Sequence, residues 1–361
     1  LRVDEVRLSP SPEYDPGWMD ARERLRHTPG LGDVTSYPTR LEAVGALLKR
    51  YPPSSENAEK RIPILAQLDE VLRAPFAWQD PQVVAYYRAA VDRVLDEAES
   101  TPPPDGVRLW KLYSSSFLVR TPEALFGIDL DQGPNQASAR MTVEQEGVRL
   151  SMTPEQQERL SRLVSYSFHT HNHHDHIDYE LLRRMLRAGA HAVVTEGARR
   201  ILEGMGVTRP VLTPAETGAE PIRIGPLAVY VCNDYQYGGG SSKEACNAYL
   251  IVTDTGQSLL ARGDINRDDH FLPWLQAWRD RGGRLDLDVS PAWNWSSPHV
   301  SLLKTAEPGP TVIPSHEYEY THSPGLEWSF ACYATGSAQL GRLAAGRSVV
   351  LSWGESYTLR R

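Results

Sequence analysis

Two stretches in the first third of the chain carry apolar residues at the spacing of an amphipathic helix. Between residues 82 and 98 the apolar side chains recur every three or four positions among charged ones, and they are Val83, Val84, Tyr87, Ala90, Val91, Val94 and Leu95. This period predicts a helix with one buried face. Ala58–Leu72 has similar spacing and predicts a second helix, with Pro63 in its opening turn.

Three consecutive prolines, Pro102–Pro104, mark a change of pattern. Proline lacks a backbone N–H and stiffens a connection, so this run belongs neither inside a helix nor in a central strand. The sequence therefore predicts two units, a helical N-terminal extension over residues 1–105 and a second unit over residues 106–361. We expect the extension to serve packing and specificity, because it carries no group of residues that indicates chemistry.

Beyond the prolines, short apolar runs alternate with helical spacing. The predicted strands are Val107–Tyr113, Ser116–Arg120, Ala124–Leu130, Leu163–Phe168, His191–Thr195, Leu227–Cys232, Ala248–Thr253, Ser258–Ala261, Leu285–Val289 and Thr311–Pro314. The predicted helices are Tyr179–Ala188, Glu196–Met205 and His270–Arg281. This alternation is typical of an α/β fold.

Composition and charge exclude several classes of protein. The 38 basic and 46 acidic residues give a formal net charge of −8, which disfavours nucleic acid as a partner because such binding relies on Lys and Arg. No apolar run approaches the roughly 20 residues of a membrane-spanning helix, and the first residues lack the apolar run of a signal peptide. Three widely spaced cysteines favour a reducing compartment. We therefore expect a cytoplasmic protein with a small-molecule substrate.

Five of the eleven histidines fall within eight positions, from His169 to His176, directly after a predicted strand. Asp175 and Asp178 lie among and just after them. Imidazole is a common metal ligand, and a carboxylate adds negative charge beside a cation. Open α/β sheets often place a site at such a strand end. The cluster therefore predicts a metal-binding loop.

The order His171-x-His173-x-Asp175-His176 matches the HxHxDH motif, and the chain resembles the metallo-β-lactamase-fold hydrolases over roughly residues 106–361. The continuation Ile177-Asp178 is similar to the branch that includes the ascorbate-phosphate lactonase and N-acyl-phosphatidylethanolamine phospholipase D. Three further segments are similar to landmarks of this family, and they are Phe126–Asp129, Ala261–Asp264 and Val312–His316. The resemblance implies an α/β (α+β) four-layer αββα sandwich.

The resemblance also implies a set of metal ligands. His171 and His173 would belong to a first metal, Asp175, His176 and His316 to a second, and Asp264 would lie between them. The family usually supplies one more first-metal histidine, but Val231–Gly240 contains none. Asp234 is the best local substitute, because carboxylate oxygen binds zinc, whereas Asn233, Gln236 and water are weaker candidates.

A metal-dependent hydrolase is the leading functional hypothesis. One or two divalent ions, with zinc favoured and manganese or iron as alternatives, would activate water against an ester, lactone or phosphodiester, and Asp175 would orient the nucleophile. A first site with two histidines and a bridging Asp264 should hold its ion less tightly or prefer a harder one. The competing hypotheses are a diiron oxidoreductase on the same fold and a non-catalytic metal-binding protein.

Overall fold

Two six-stranded sheets lie face to face in the computed structural model of the chain. The described residues are 39–74, 77–134, 150–237, 243–291, 309–320, 329–334 and 348–360. Apolar side chains from both sheets meet between them, among them Leu109, Phe126 and Tyr249, and all three are fully buried. Residues that alternate with these point outward to the helices, as Trp110 does. The alternation thus builds one β-sandwich with two outer apolar faces.

The first sheet has the strand order β12-β1-β2-β3-β4-β5. Its strands are β1 (Gly106–Lys111), β2 (Phe117–Arg120), β3 (Leu125–Ile128), β4 (Tyr166–Phe168), β5 (His191–Val193) and β12 (Ser356–Arg360). Strands β3, β4 and β5 run parallel to one another, whereas β12, β1 and β2 form antiparallel pairs. The carboxyl ends of β3 and β4 therefore emerge at the same edge of the sheet.

The second sheet has the order β11-β10-β9-β8-β7-β6. Its strands are β6 (Ile222–Ile224), β7 (Leu227–Tyr237), β8 (Lys243–Val252), β9 (Ser258–Ala261), β10 (Leu287–Asp288) and β11 (Thr311–Val312). Strands β9, β10 and β11 are parallel, and β7 pairs with β8 in a long antiparallel hairpin. This hairpin is longer at its tip than the sequence predicts, because β7 continues from Cys232 to Tyr237.

Helices cover both outer faces. They are α1 (Arg40–Arg50), α2 (Ala58–Leu72), α3 (Pro81–Ser100), α4 (Pro154–Leu163), α5 (Tyr179–Ala188), α6 (Glu196–Gly204), α7 (Phe271–Asp280) and α8 (Phe330–Ala334). Trp278 of α7 packs on Tyr230 of the second sheet, with 6.3 Å between ring centroids. On the first sheet, Tyr87 of α3 contacts Trp353, with centroids 5.2 Å apart. The predicted four-layer α/β sandwich is confirmed.

Helix ends follow local sequence rules. Thr39 and Glu42 form a capping box at the start of α1, and Asp80 caps α3 directly before Pro81. Helix α2 has the predicted bounds, but Pro63 lies in its second turn rather than its opening turn and is buried. The predicted strand Leu163–Phe168 is shorter than expected, because Leu163 ends α4 and β4 begins at Tyr166.

The N-terminal helices share an apolar core with the first sheet. Leu65 and Leu68 of α2 and Val91 of α3 belong to the same buried cluster as Trp110 and Trp353. Arg61 of α2 adds an ion pair with Glu355, in which the closest N and O atoms are 2.5 Å apart. None of the described helices is both long enough and apolar enough to cross a bilayer.

Replacing Leu68 by Ala tests whether these helices and the sandwich unfold together. Leu68 is fully buried, so we expect the free energy of unfolding to fall by about 2–5 kcal/mol in a single transition. Urea unfolding followed by tryptophan fluorescence and circular dichroism measures this. Leu212→Ala is the matched control, because Leu212 is 44% exposed. A separate early transition that leaves the sandwich folded would contradict a shared core.

Candidate metal centre

Four strand ends bring the polar side chains of the centre together. Asp129 follows β3, the histidine loop follows β4, Asp264 follows β9 and His316 follows β11. Since the strands within each parallel set end at the same edge, residues far apart in sequence become neighbours. The sandwich thus forms a buried centre at one end of its two sheets.

Backbone and side-chain hydrogen bonds fix the loop between β4 and α5. His169 is buried, and its Nδ1 lies 2.9 Å from the carbonyl oxygen of His176 while its Nε2 lies 2.9 Å from Ser167 Oγ. Asp178 accepts a hydrogen bond from the backbone N–H of Leu181 and so caps α5. His169 and Asp178 therefore hold the two ends of the loop, and four residues between them face the centre, namely His171, His173, Asp175 and His176.

We call Asp175, His176, Asp264 and His316 the second cluster, because the sequence assigns most of them to the second metal. All four are buried, and one ligand atom of each lies within 4.8 Å of the others. Asp175 Oδ2 is 2.8 Å from His316 Nε2 and 3.2 Å from His176 Nε2. Asp264 Oδ1 is 3.3 Å from His176 Nε2.

We call His171, His173 and Asp264 the first cluster. Their candidate ligand atoms also lie within 4.8 Å of one another. His171 Nε2 is 3.8 Å from Asp264 Oδ2, and the rings of His171 and His173 have centroids 4.6 Å apart. Asp264 is common to both clusters. The structure therefore brings six of the seven sequence-predicted site residues into two adjoining groups.

Charge within the centre shifts the pKa values strongly. Burial raises the pKa of Asp175 and Asp264, but the nearby imidazoles of His176 and His316 outweigh it and hold both pKa values below the ordinary range. Burial and the neighbouring His176 hold the pKa of His171 well below its ordinary value. His171 is thus neutral and both carboxyls are ionised at neutral pH, which are the forms that bind a cation.

Asp129 orients the imidazoles from outside both clusters. Its Oδ2 is 2.8 Å from His176 Nδ1 and accepts a hydrogen bond from Thr170 Oγ1 at 2.9 Å. Thr170 Oγ1 in turn lies 3.0 Å from His171 Nδ1. These contacts occupy the Nδ1 atoms and leave both Nε2 atoms facing the centre, the arrangement seen behind metal-binding histidines. Sequence analysis identified Asp129 only as a family landmark, because its partners Thr170 and His176 lie 41 and 47 residues away along the chain.

Asp234 does not join the first cluster among the described residues. Its Oδ1 accepts a hydrogen bond from the N–H of Tyr235 at 2.8 Å, and the described candidate ligand groups do not include it. Gln236, two residues along the same strand, reaches the centre instead, and its Nε2 donates to Asp264 Oδ2 at 3.0 Å. The choice of Asp234 over Gln236 from the sequence thus finds no support in the geometry.

A buried ion pair supports His316. Lys111 Nζ is 2.7 Å from Glu317 Oε2, both side chains are fully buried, and Lys111 also donates to the carbonyl oxygen of Ser114. Burial lowers the pKa of Lys111 and raises that of Glu317. His316 has a φ of 77°, a left-handed conformation that costs energy for a residue with a side chain. The ion pair holds the neighbouring Glu317 and so stabilises this strained backbone.

Helix α2 reaches the same segment through Asp69. Tyr318 Oη donates to Asp69 Oδ1 at 2.5 Å, and the backbone N–H groups of Phe330 and Ala331 donate to the same carboxylate. Tyr318 and Tyr320 are buried in the core rather than exposed to a cavity. The N-terminal helices therefore contact the segment that follows His316.

A third group of side chains that could bind a metal ion lies outside these two clusters. Glu216, Cys232 and His270 also come within 4.8 Å of one another. His270 Nε2 and Glu216 Oε2 are only 2.6 Å apart, and both side chains are largely exposed. This group is accounted for as a surface ion pair beside a buried thiol.

The two clusters fit a divalent cation. His171 Nε2, His176 Nε2 and Asp264 Oδ1 are buried and make no hydrogen bond within the described residues. Buried polar atoms of this kind are costly unless a ligand contacts them. Imidazole nitrogen and carboxylate oxygen are the donors that zinc and similar ions use. The centre is therefore a candidate site for one or two ions.

Comparison with solved structures supports the fold. The chain is similar to a possible metal-dependent hydrolase from Veillonella parvula, with 11% identity, a TM-score of 0.51 and coverage of 70% of this chain and 99% of that one. It is similar to the isothiocyanate hydrolase from Delia radicum gut bacteria, with 14% identity, a TM-score of 0.50 and the same coverage of the two chains. No family model and no curated relative matches. The chain has the metallo-β-lactamase fold, as its HxHxDH motif implies.

Breaking the Lys111–Glu317 pair should be more harmful than removing it. Lys111→Met leaves a buried carboxylate without its cation, so we expect the free energy of unfolding to fall by about 3–5 kcal/mol. Lys111→Met combined with Glu317→Leu removes both charges and should recover most of this loss. Urea unfolding of the chelator-treated chain measures all three proteins. Equal stability of the single and double variants would show that the pair does not support this segment.

Asp69 should make stability depend on pH. Burial raises its pKa from 3.8 to about 6. The folded state therefore binds this proton more tightly, and the resulting stability is complete below pH 3.8 and lost as the pH rises through 6. Between pH 4 and pH 7 we expect the wild-type chain to lose up to about 3 kcal/mol more than Asp69→Asn does. Urea unfolding at several pH values compares them, and a pH-independent difference would contradict the raised pKa.

Proposed function

We propose that this protein is a metal-dependent hydrolase that acts on a small ester, lactone or phosphodiester. The observation that carries the proposal is the pair of adjoining clusters, which both include Asp264 and whose imidazole and carboxylate groups are buried except for the half-buried His173. A divalent ion in such a site lowers the pKa of water from 15.7 to about 7 and so supplies a nucleophile at neutral pH. Zinc and manganese are the ions that this donor set favours.

The residues of the chain then have distinct tasks. His171, His176 and His316 present imidazole nitrogen donors, and Asp264 places negative charge between the clusters. Asp175 stays ionised, because His176 and His316 lower its pKa, so its carboxylate can accept a hydrogen bond from the attacking water. Asp129 and Thr170 keep His171 and His176 in fixed orientations. We expect this fixed arrangement to limit reorganisation during the reaction.

The substrate class is inferred from the chemistry of the site. A water nucleophile beside buried cationic charge suits an electrophilic carbonyl or phosphoryl centre, whose oxygen gains negative charge during attack. An isothiocyanate hydrolase has the same fold, so isothiocyanates, which have an electrophilic carbon of another kind, are also substrates worth testing. The net charge of −8 disfavours a polyanionic nucleic acid as substrate.

Asp175→Asn should lower kcat/KM at least about 100-fold while the fold is retained. The amide matches the carboxylate in shape, but it is neutral and cannot accept a proton from the attacking water. The assay is a panel of activated esters, lactones, phosphodiesters and isothiocyanates, with metal content determined in parallel. His176→Ala should also abolish activity. His174→Ala is the matched control, because His174 belongs to the same loop but to neither cluster.

Chelation followed by metal addition completes this test. We expect a chelator to remove activity and a divalent ion to restore it. Stoichiometric metal with no turnover of any substrate class would overturn the hydrolase proposal in favour of a metal-binding protein. Bound iron with a visible absorption band and no hydrolysis would favour the diiron oxidoreductase.

A further inference from the structure

The first cluster is short of donors compared with the second. It consists of His171, His173 and the shared Asp264, whereas the second has Asp175, His176 and His316 in addition to Asp264. Catalytic zinc sites usually have three protein ligands and one open position. If Asp264 contributes to both ions, the first cluster has only two donors of its own, and a further protein atom is expected near it.

Gln236 has an atom suited to this place. Its Nε2 donates to Asp264 Oδ2 at 3.0 Å, so its side-chain amide lies against the carboxylate that joins the two clusters. Its Oε1 is buried and accepts no hydrogen bond within the described residues. A buried amide oxygen without a donor costs free energy, and rotation of the amide toward a cation in the first cluster would recover it.

Rotation of the amide about its last side-chain bond exchanges oxygen and nitrogen with little change in shape. In the exchanged orientation Oε1 would face Asp264 Oδ2. Two oxygen atoms at that separation repel each other unless a donor or a cation lies between them. Gln236 can therefore donate a hydrogen bond from Nε2 to Asp264 when no metal is bound, and offer Oε1 to an ion when one is bound, without moving its backbone.

The strand end that carries Gln236 is fixed to the loop that carries Asp264. The N–H of Tyr237 donates to Asn266 Oδ1 at 2.9 Å, and Asn266 Nδ2 donates to the carbonyl oxygen of Tyr237 at 2.8 Å. The guanidinium of Arg267 lies 3.7 Å from the centroid of the Tyr237 ring. Since residues 264, 266 and 267 belong to one short segment, Gln236 and Asp264 are held together independently of any ion.

Asp234 offers a useful contrast on the same strand. Its Oδ1 accepts the hydrogen bond from the N–H of Tyr235, and burial raises its pKa. The charged groups with the largest effects on its pKa are His270 and Asp269, which lie outside both clusters. Asp234 is thus close to Gln236 in sequence but in a different environment.

We propose that Gln236 supplies its amide oxygen as the remaining protein donor of the first cluster, where members of this fold usually have a histidine, and that this weakens zinc binding and narrows the preference of the cluster for zinc over manganese. The inference rests on the metal centre of the proposed function. Both donors are neutral, so the exchange leaves the net charge unchanged. It replaces a nitrogen that suits zinc by a harder oxygen that suits manganese.

Metal binding to three variants tests this assignment. Gln236→His should raise the zinc affinity of the weaker site at least about tenfold and its manganese affinity by much less, so that the preference for zinc widens. Gln236→Leu, which matches the size of glutamine but has no donor, should weaken the same site at least about tenfold and leave the tighter site unchanged. Asp234→Asn is the matched control and should bind both ions as the wild-type chain does.

The measurements are competitive titrations of the chelator-treated chain with zinc and with manganese, together with elemental analysis and electron paramagnetic resonance of bound manganese. Thermal unfolding of the metal-free variants establishes that each is folded. If Gln236→Leu retains both affinities, or if Asp234→Asn loses the weaker ion, the assignment of Gln236 is wrong.

The outcomes separate this inference from the proposed function. Hydrolysis by the wild-type chain with unchanged affinities in Gln236→Leu overturns the role of Gln236 and leaves the hydrolase proposal intact. The expected affinity changes in a chain that hydrolyses no substrate support Gln236 and overturn the hydrolase proposal.

Discussion

The carboxylate of Asp264 is the contact on which the centre depends. It lies at the end of β9, where the two sheets meet, and it is the one side chain common to both clusters. The distances of 3.3 Å to His176 and 3.8 Å to His171 place it between histidines of the two groups. A fully buried carboxylate is unfavourable by itself, so its ionised form requires the surrounding imidazoles and, on our proposal, a cation.

Much of the surrounding structure compensates for the burial of charge. Asp129 contacts His176 and Thr170, and Lys111 pairs with Glu317 next to His316. Asp69 accepts three hydrogen bonds, one of them from the hydroxyl of Tyr318. Asp69 belongs to the N-terminal helices, which the sequence assigns to a separate extension. Their apolar residues lie in one cluster with the outer face of the first sheet, so helices and sandwich both support the His316 segment.

The sequence predicted the parts of the centre that depend on local spacing. The loop from His171 to His176 is compact, and Asp264 and His316 follow short apolar strands. The motif and the predicted strand ends were therefore enough to name these residues as candidate ligands. It favoured Asp234 over Gln236, although Gln236 is the residue that contacts Asp264. The two residues lie on the same face of β7 about 7 Å apart, and the strand extends five residues beyond its predicted end at Cys232. Only the Tyr237–Asn266 contacts, which join distant segments, decide which side chain reaches Asp264.

The same contacts give the centre an asymmetry that follows from donor chemistry. The second cluster combines two imidazoles with two carboxylates, so it offers a cation both nitrogen ligands and full charge compensation. The first cluster shares one of those carboxylates and, on our proposal, adds the neutral amide oxygen of Gln236. An ion there has less negative charge beside it and a harder set of donors. On our proposal the amide of Gln236 stands where a histidine is missing, and the contacts between Tyr237 and Asn266 fix its position. Such a centre would hold one ion firmly and a second one more weakly.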